Sequence, residues 1–210
     1  MTPQTDLEQR ILETAKQLFL EHGFAQTSTT DIARAVGCNQ ALVHYYYRTK
    51  ERLFRKIFEQ EMNNLLDFAN KFTYSDDLWS FLSTLVDYYF SFLTQNPKLP
   101  FFILNELVLN EERRAWMRET FIQNERRQKA YYAFSDMVMR EIKKGTIRQI
   151  EPLDLLLDIV SLVVMTFICM PIYSDLLQKT PEELNDFLAH RKQEVLLMLE
   201  GGLTPPANLE

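Results

Sequence analysis

The stretch TTDIARAVGCNQALVHYYYRTKERLF, residues 29–54, decides the fold of this chain. Ile32 and Val36 are one helical turn apart on the same face, and Gly37 is a typical end for a short helix. Thr29 or Thr30 can cap this first short helix, and Asn39 is a suitable N-cap for a second one. Two short helices joined by a tight glycine turn form a helix-turn-helix, which lays its second helix in the major groove of DNA.

The helical pattern continues on both sides of this stretch. Upstream, Leu7, Ile11 and Phe19 follow the spacing of one helix face. Downstream, no Gly or Pro interrupts residues 38–96 or 101–144, so the turn clusters that strands need are missing. Self-similarity at the periods of repeat proteins is absent as well. The sequence therefore predicts an all-α fold of about nine helices, beginning with a three-helix helix-turn-helix domain.

Composition narrows the class of protein. The chain carries 23 Lys and Arg against 29 Asp and Glu, a formal charge of −6, which argues against a uniformly basic nucleic-acid binder. Residues 1–55 are less acidic, with seven basic and six acidic side chains. Hydrophobic residues make up 46 % of the chain, enough for a core and too many for a disordered protein.

Several missing features point to a soluble, cytoplasmic protein that is not an enzyme. Two distant cysteines cannot build a disulfide framework, and three scattered histidines lack metal-ligand company, so no cofactor or metal is expected. The longest uncharged run, residues 159–174, contains a proline and is shorter than the roughly 18–20 apolar residues of a bilayer span. The first ten residues lack the apolar core of a signal peptide. The sequence also lacks a phosphate loop and a nucleophile elbow.

A combination of motifs identifies the family that the chain resembles. T-T-D-I-A at residues 29–33, Gly37 in the turn and K-E-R-L-F at residues 50–54 occur at characteristic spacing around an aromatic cluster. A Gly-Thr-Ile-Arg step begins further along, at Gly145. With these motifs the chain resembles the TetR family of bacterial transcription regulators, sharply over residues 7–54 and diffusely afterwards.

The chain departs from the family pattern at a few positions of the helix-turn-helix. Cys38 stands where Val is usual, Asn39 replaces Ser or Thr, and Ala41 replaces a common Gly. His44 stands where Tyr is usual, and Tyr47 where Phe is usual. The change at His44 leaves one family-typical DNA contact open, without affecting the expected fold.

The helix-turn-helix implies two kinds of DNA contact. Thr29 and Lys50 lie at helix N-termini, which attract phosphate, and the hydroxyl of Tyr46 can bond phosphate as well. Gln40 can bond adenine with both ends of its amide, and Ala41 can touch a thymine methyl. A dimer over two half-sites of double-stranded DNA is expected. The predicted DNA-binding residues are Thr29, Thr30, Asn39, Gln40, Ala41, Leu42, His44, Tyr45, Tyr46 and Lys50.

Some of these residues also have a purely structural interpretation. Tyr45 and Tyr46 are alternatively core aromatics, and Tyr47 is expected to be one. His44 is alternatively a packing residue or a partner of solvent. Cys38 is expected to be a small hydrophobe in the turn rather than a redox sensor.

The resemblance implies three segments: residues 1–49 as the DNA-binding domain, residues 50–202 as a helical ligand-binding and dimerisation domain, and residues 203–210 as a disordered tail. The body is expected to bind a small lipophilic or aromatic ligand, although the same apolar residues are alternatively plain core. Glu106 faces either a cavity or solvent. The predicted ligand-binding residues are Phe81, Leu85, Tyr88, Phe101, Phe102, Leu104, Glu106, Met117, Phe121, Tyr131, Phe134, Met137 and Phe167.

The resemblance also implies that the last two long helices pair with a second copy of the chain as a homodimer. Both helices carry a broad apolar stripe, which suits a four-helix interface but alternatively faces the chain's own core. The predicted interface residues are Leu155, Ile159, Leu162, Val163, Thr166, Leu184, Phe187, Leu188, Arg191, Val195 and Met198.

Together these inferences predict a DNA-binding transcriptional regulator, by family default a repressor, that a small lipophilic ligand releases from a palindromic operator. In this mechanism the long helix from Lys50 pivots and changes the separation of the two recognition helices. The alternative is an interaction or architectural DNA-binding protein controlled by a protein partner, without a small-molecule effector. No contact with a membrane is expected.

Overall fold

The computed structural model describes residues 3–66 and 77–205, with side chains from residue 6 onward. Within these ranges the chain is helical and contains no strand, so the predicted all-α fold is confirmed. A five-residue π-helical turn, Arg118–Ile122, follows the helix Glu111–Met117. The helices are α1 (Pro3–Gln26), α2 (Thr29–Val36), α3 (Gln40–Tyr47), α4 (Lys50–Leu66), α5 (Leu78–Gln95), α6 (Leu99–Leu109), α7 (Glu111–Met117), α8 (Glu125–Lys144), α9 (Pro152–Leu177) and α10 (Pro181–Leu203).

The described residues fall into two compact units. The N-terminal unit contains the residues up to Leu66 together with Phe101–Asn110, and the C-terminal unit contains the other described residues. The functional boundary predicted at residue 50 stays a prediction. Leu203 of the predicted tail lies in α10 and is buried, and residues 206–210 lie outside the described residues.

The core of the N-terminal unit is largely aromatic. Ring centroids of Phe19 and Phe24 lie 5.8 and 5.0 Å from that of Phe54. The ring of Phe102 lies 5.6 Å from Phe54 and 6.4 Å from Phe58. Each fully buried Phe contributes roughly 1.5–3 kcal/mol to stability, so these rings hold α1, α4 and the segment from Phe101 together as the support of α2 and α3.

The C-terminal unit is built around α5, which packs against α9 and α10, with α8 packed on α9. Phe90 and Phe167 meet edge to face at 5.5 Å between α5 and α9. An ion pair of 2.6 Å joins Lys192 of α10 to Asp87 of α5 at the surface. In the link before α9, the Arg148 N–H donates to the Leu203 carbonyl at 2.8 Å. The Arg148 guanidinium donates to the Gly202 carbonyl, so this residue caps the C-terminus of α10.

Three helix boundaries differ from those that the sequence suggests. Gly23 ends the first helix only locally: its φ of 78° and ψ of 165° kink α1, which resumes and ends at Gln26. The pattern over residues 112–144 suggests one helix, but the π-helical turn divides it. Pro171 does not end α9, which continues to Leu177. The proline removes only one helical hydrogen bond, and its ring lies on the exposed side of the helix.

Helix α9 is long and apolar enough to span a membrane by length and composition alone. One such helix is weak evidence, because core helices meet the same criterion. Leu155, Ile159, Val163 and Phe167 of α9 are buried within the C-terminal unit. Only 22 % of the apolar stretch of α9 is buried, so the prediction of a buried helix holds for this one face.

Candidate nucleic-acid interface

Helix α2 begins with a capping box, and its N-cap lies before the two residues predicted for that position. Ser28, rather than Thr29 or Thr30, is the N-cap: its hydroxyl accepts from the Asp31 N–H at 3.1 Å, and the Asp31 carboxylate accepts from the Ser28 N–H at 3.2 Å. The Ser28 hydroxyl also donates to the Asp31 carboxylate, and this bond, ahead of the one from the Ser28 N–H, lowers the pKa of Asp31. Ser-x-x-Asp was the available signal. Thr29 and Thr30 therefore occupy the first turn, still at a helix N-terminus.

The turn between α2 and α3 is three residues long, and each residue makes a hydrogen bond that fixes the turn. Gly37 has a φ of 78° and a ψ of 35°, the left-handed region, and its N–H donates to the Ala33 and Arg34 carbonyls. The Cys38 N–H also donates to Ala33, at 2.9 Å. The Asn39 side chain accepts from the Ala41 N–H at 2.9 Å. The predicted turn at Gly37 and cap at Asn39 are confirmed.

Helix α3 has one buried and one exposed face. Val43 and Tyr47 are 1 % and 9 % exposed, so the core role expected of Tyr47 is confirmed. The Tyr47 hydroxyl donates to the Glu8 carbonyl of α1 at 3.1 Å, and burial, as the largest cause, raises the Tyr47 pKa to about 12. The outer face carries the predicted reading residues. Asn39, Gln40, Ala41, Leu42, His44 and Tyr45 are exposed, as is Thr30, while Thr29 and Tyr46 are half-buried.

Three side chains on this outer face form a hydrogen-bonded chain. The Gln40 amide donates to the Thr29 hydroxyl at 2.9 Å, which ties α3 to the start of α2. The same amide nitrogen lies 3.5 Å from Nε2 of His44. His44 Nδ1 lies 3.1 Å from the Arg48 carbonyl oxygen. Because a carbonyl only accepts, this contact requires the proton on Nδ1, which leaves Nε2 of the neutral ring as an acceptor.

Arg48 forms a strained turn between α3 and α4. Its φ of 62° and ψ of −53° are rare for a residue with a Cβ. The Thr49 N–H donates across it to the Tyr47 carbonyl at 2.6 Å, which makes a γ-turn of the unfavourable hand. The hydroxyl of Thr49 then accepts from the Arg52 N–H at 3.1 Å and caps α4. Strain of this kind persists only where the surroundings impose it and is common at functional sites.

Lys50 begins α4 as predicted, but its ammonium has partners inside the unit. Nζ donates to the Phe24 carbonyl at 2.9 Å and lies 4.1 Å from the centroid of the Phe24 ring. The side chain is half-buried. Lys50 therefore holds the end of α1 on the start of α4, and its predicted role towards phosphate stays a prediction.

Two exposed residues between α3 and α4, Arg48 and Thr49, were not among the predicted DNA-binding residues. Arg48 presents a charged side chain beside the outer face of α3, and charge near DNA is the main source of phosphate affinity. The available signal was position: both residues lie in the short link between two predicted helices, where a turn residue and a cap are required.

The residues predicted to bind a ligand differ widely in exposure. In the N-terminal unit, Phe102 and Glu106 are buried, whereas Phe101 and Leu104 are 62 % and 46 % exposed. Glu106 accepts from the Phe24 N–H at 3.4 Å, so its expected alternative on the solvent face is wrong. In the C-terminal unit, Leu85, Phe121, Phe134, Met137 and Phe167 are buried, Phe81, Tyr88 and Met117 are half-buried, and Tyr131 is exposed.

Among these residues, the structure brings Phe81 and Phe134 together, with ring centroids 5.7 Å apart. Phe121 packs edge to face on Trp116 at 5.8 Å, and the guanidinium of Arg127 lies 4.5 Å above its ring. These contacts belong to core packing, and ligand binding at these residues stays a prediction.

The residues predicted for a dimer interface differ in exposure. Leu155, Ile159, Val163, Thr166 and Val195 are buried by their own chain, which matches the alternative that part of each stripe faces its own core. The apolar side chains left exposed on the same helices include Leu153, Leu157, Val160, Met165, Phe187, Leu197 and Met198. Leu162, Leu184, Leu188 and Arg191 are half-buried. Leu162 and Met198 line a groove of about 200 Å³ between α9 and α10.

Comparison with known proteins locates the helix-turn-helix in one family. The family described as bacterial regulatory proteins, tetR family, matches residues 11–57. IcaR of Staphylococcus epidermidis, the negative transcriptional regulator of the biofilm operon icaADBC, is 34 % identical over 62 residues, which are 30 % of this chain and 34 % of IcaR. The chain thus spans about a third of the length of this relative.

Longer matches extend beyond the helix-turn-helix. The uncharacterized HTH-type regulator YfiR of Bacillus subtilis is 26 % identical over 151 residues, covering 68 % of this chain and 69 % of YfiR. A solved transcriptional regulator from Saccharomonospora viridis, in complex with choline, superposes with a TM-score of 0.69 at 18 % identity, covering 96 % of this chain and 99 % of that chain. This likeness shows the fold alone. The matched proteins are transcription regulators, so the prediction that the chain is not an enzyme is confirmed.

Proposed function

Because residues 11–57 match the family of bacterial regulatory proteins, tetR family, we propose that the chain is a transcription regulator of this family that binds double-stranded DNA through α3. Its recognition residues are Asn39, Gln40, Ala41, Leu42, His44 and Tyr45. Thr29, Thr30, Tyr46 and Lys50 position the protein on phosphate, and the DNA-binding domain ends near residue 49.

The exposed face of α3 is the observation that carries this proposal. Tyr45 is 66 % exposed and Leu42 37 % exposed, although both are large hydrophobic side chains. Their neighbours Val43 and Tyr47 fix the opposite face in the core. A short helix that is rigidly held and presents amide, methyl and aromatic groups outward suits the major groove, where such groups distinguish base pairs.

Selection of bound duplexes from a random DNA pool tests this function. We expect enrichment of a palindrome whose half-site centres are one helical turn apart, roughly 34–36 Å, or a multiple of this. Tyr45→Ala should abolish enrichment of the site, because it removes the most exposed recognition side chain and leaves the helix intact. Lys143→Ala, at an exposed position of the C-terminal unit, is the matched control. A pool that stays random with the intact protein excludes sequence-specific DNA binding.

The regulator acts as a homodimer through α9 and α10 and represses transcription from a palindromic operator in the cytoplasm. The exposed apolar side chains Leu157, Val160 and Met198 support the pairing, because a contiguous apolar surface on a soluble protein marks an interaction site. Leu157→Glu should convert the dimer to a monomer in light scattering. Repression is supported by the name of IcaR as a negative regulator, and a reporter gene behind the selected operator tests it.

A small lipophilic ligand bound by the helical body releases the operator. The choline complex of the Saccharomonospora viridis regulator supports ligand binding in a protein of this fold, and the half-buried side chains of Phe81, Tyr88 and Met117 offer apolar surface for a ligand here. Titration of the protein–operator complex with a panel of lipophilic and quaternary ammonium compounds tests the release. A coupling free energy of about 1–3 kcal/mol lowers operator affinity roughly 5- to 150-fold. Operator affinity indifferent to every compound excludes this part of the proposal.

A further inference from the structure

The side chain of His44 lies on the exposed face of α3, where it contacts Gln40 and the turn at Arg48. The Arg48 carbonyl oxygen fixes the proton on Nδ1 of His44 at 3.1 Å. The bare Nε2 then faces the Gln40 amide nitrogen at 3.5 Å, the long end of the hydrogen-bond range. The orientation of the Gln40 amide follows, because its oxygen in this place would meet a second acceptor.

The Gln40 amide is also held from the other side. Its nitrogen donates to the Thr29 hydroxyl at 2.9 Å. An amide NH2 has two hydrogens, and here one faces Thr29 while the other faces His44. The amide oxygen is the group of Gln40 that remains for a base edge.

We propose that His44 and Thr29 are positioning residues that make Gln40 an acceptor-only reader of DNA, an inference that rests on the proposed DNA-binding function. Adenine and cytosine both offer an exocyclic amino donor in the major groove, so both satisfy a lone amide oxygen. Guanine and thymine offer acceptors at the equivalent place. Gln40 therefore accepts adenine or cytosine at one operator position, instead of pairing with adenine alone through both ends of the amide.

Freeing the amide hydrogen cis to the oxygen converts the reading, because only that hydrogen lies on the same edge of the amide as the oxygen. The freed N–H can donate to adenine N7 while the oxygen accepts from adenine N6, a bidentate pair that cytosine cannot form. His44→Asn frees the hydrogen that faces His44, since the Asn amide nitrogen occupies the place of Nδ1 and keeps the bond to the Arg48 carbonyl but does not reach Gln40. Thr29→Val frees the other hydrogen with little change in shape, and Thr29→Ser is its matched control because it keeps the hydroxyl.

The experiment selects duplexes from a random pool with the intact protein and with these variants, followed by affinity measurements on single operators. We expect the wild type and Thr29→Ser to bind adenine and cytosine within about twofold at the position that Gln40→Ala makes indifferent. Whichever of His44→Asn and Thr29→Val frees the hydrogen cis to the amide oxygen should prefer adenine by at least about fivefold, the lower bound of a bidentate contact, and the other variant should keep the wild-type preference. Replacing that adenine by 7-deazaadenine, which lacks N7, should abolish the gain of that variant and leave the wild type unaffected.

Several results overturn the inference while the proposed function stands. These are a wild-type protein that already prefers adenine and is sensitive to 7-deazaadenine, unchanged preference in both variants, or a His44→Asn variant that weakens all sequences equally, as loss of a phosphate contact would. A wild-type protein that selects no sequence overturns the proposed function itself. Thermal unfolding of each variant separates these outcomes from misfolding, and the two variants reach the same amide from opposite sides.

Discussion

The carboxylate of Glu106 accepts a hydrogen bond of 3.4 Å from the backbone N–H of Phe24. This N–H becomes available because the kink at Gly23 breaks the helical ladder of α1. Glu106 is 7 % exposed, so the segment that follows Phe101 is fixed to the end of α1 by a buried polar contact as well as by the aromatic core.

Glu106→Leu should destabilise the protein by about 1–3 kcal/mol, because the Phe24 N–H loses its acceptor while buried. Glu106→Gln keeps an acceptor oxygen in place and should cost less than half as much. Urea denaturation followed by far-UV circular dichroism measures both. Equal losses for the two variants would show that charge, and not the hydrogen bond to Phe24, is what matters.

Alkaline pH should destabilise the protein through its buried tyrosines. Burial raises the pKa of Tyr47 and of Tyr89 from the ordinary 10 to about 12. The unfolded chain therefore loses these protons first, and stability falls as pH rises from about 10 to 12. Tyr47→Phe and Tyr89→Phe should each make that fall shallower, as measured by unfolding at pH 9 and pH 11.5. At neutral pH, Tyr47→Phe should cost about 1 kcal/mol for the lost bond to Glu8.

The strained turn at Arg48 predicts a stabilising substitution that weakens DNA binding. Glycine adopts positive φ without a Cβ clash, so Arg48→Gly should raise the free energy of unfolding by about 1 kcal/mol. The same change removes a cation beside the recognition face and should reduce the salt dependence of DNA affinity by about one phosphate contact. Arg48→Ala, which removes the charge and keeps the Cβ, should show the second effect without the first.

The cap at Asn39 separates folding from base recognition. Asn39→Ala should cost about 1 kcal/mol of stability, because the Ala41 N–H loses its acceptor. Asn39→Ser should keep that stability, as serine caps equally well. Thermal unfolding gives the first comparison, and operator affinity of Asn39→Ser gives the second. Loss of affinity in the serine variant at unchanged stability identifies Asn39 as a base contact, and unchanged affinity excludes it.

Arg148 should matter for the C-terminal unit although it lies in a link. Arg148→Ala removes the bond to the Gly202 carbonyl and a positive charge at the C-terminus of α10, at a cost of about 1–2 kcal/mol. Arg148→Lys keeps the charge without the planar donor group and should recover part of the loss. Denaturant titrations of the three proteins measure this order, and an alanine variant as stable as the wild type contradicts the capping role.

The helix-turn-helix was predictable in detail because local rules determine it. The turn requires a residue that can be left-handed and the next helix requires a side-chain acceptor. Gly37 and Asn39 meet these requirements within three residues of sequence. The outward face of α3 follows from the burial of Val43 and Tyr47 at helical spacing. The cap of α2 was misplaced because Ser28, Thr29 and Thr30 are all good N-caps, and only the partner Asp31 distinguishes them.

Longer-range relations were beyond the sequence pattern. Glu106 meets Phe24 across 82 positions of chain, and neither residue type indicates the other. The π-helical turn at residues 118–122 interrupts a pattern that is continuous in periodicity. In α9 and α10, residues facing the core and residues facing outward are all apolar, so spacing alone could not assign Leu155 to the interior and Leu157 to the surface.

The three hydrogen-bonded residues between α2 and α3 limit how this protein can be engineered. One inserted residue would rotate a helix by about 100° relative to its partner, so the link has no tolerance for length changes. Gln40 of α3 bonds Thr29 of α2. A chimera that receives only the second helix of a related regulator would therefore pair that helix with an α2 that is not its own. Operator preference should be transferable only when residues 28–49 are grafted as one block.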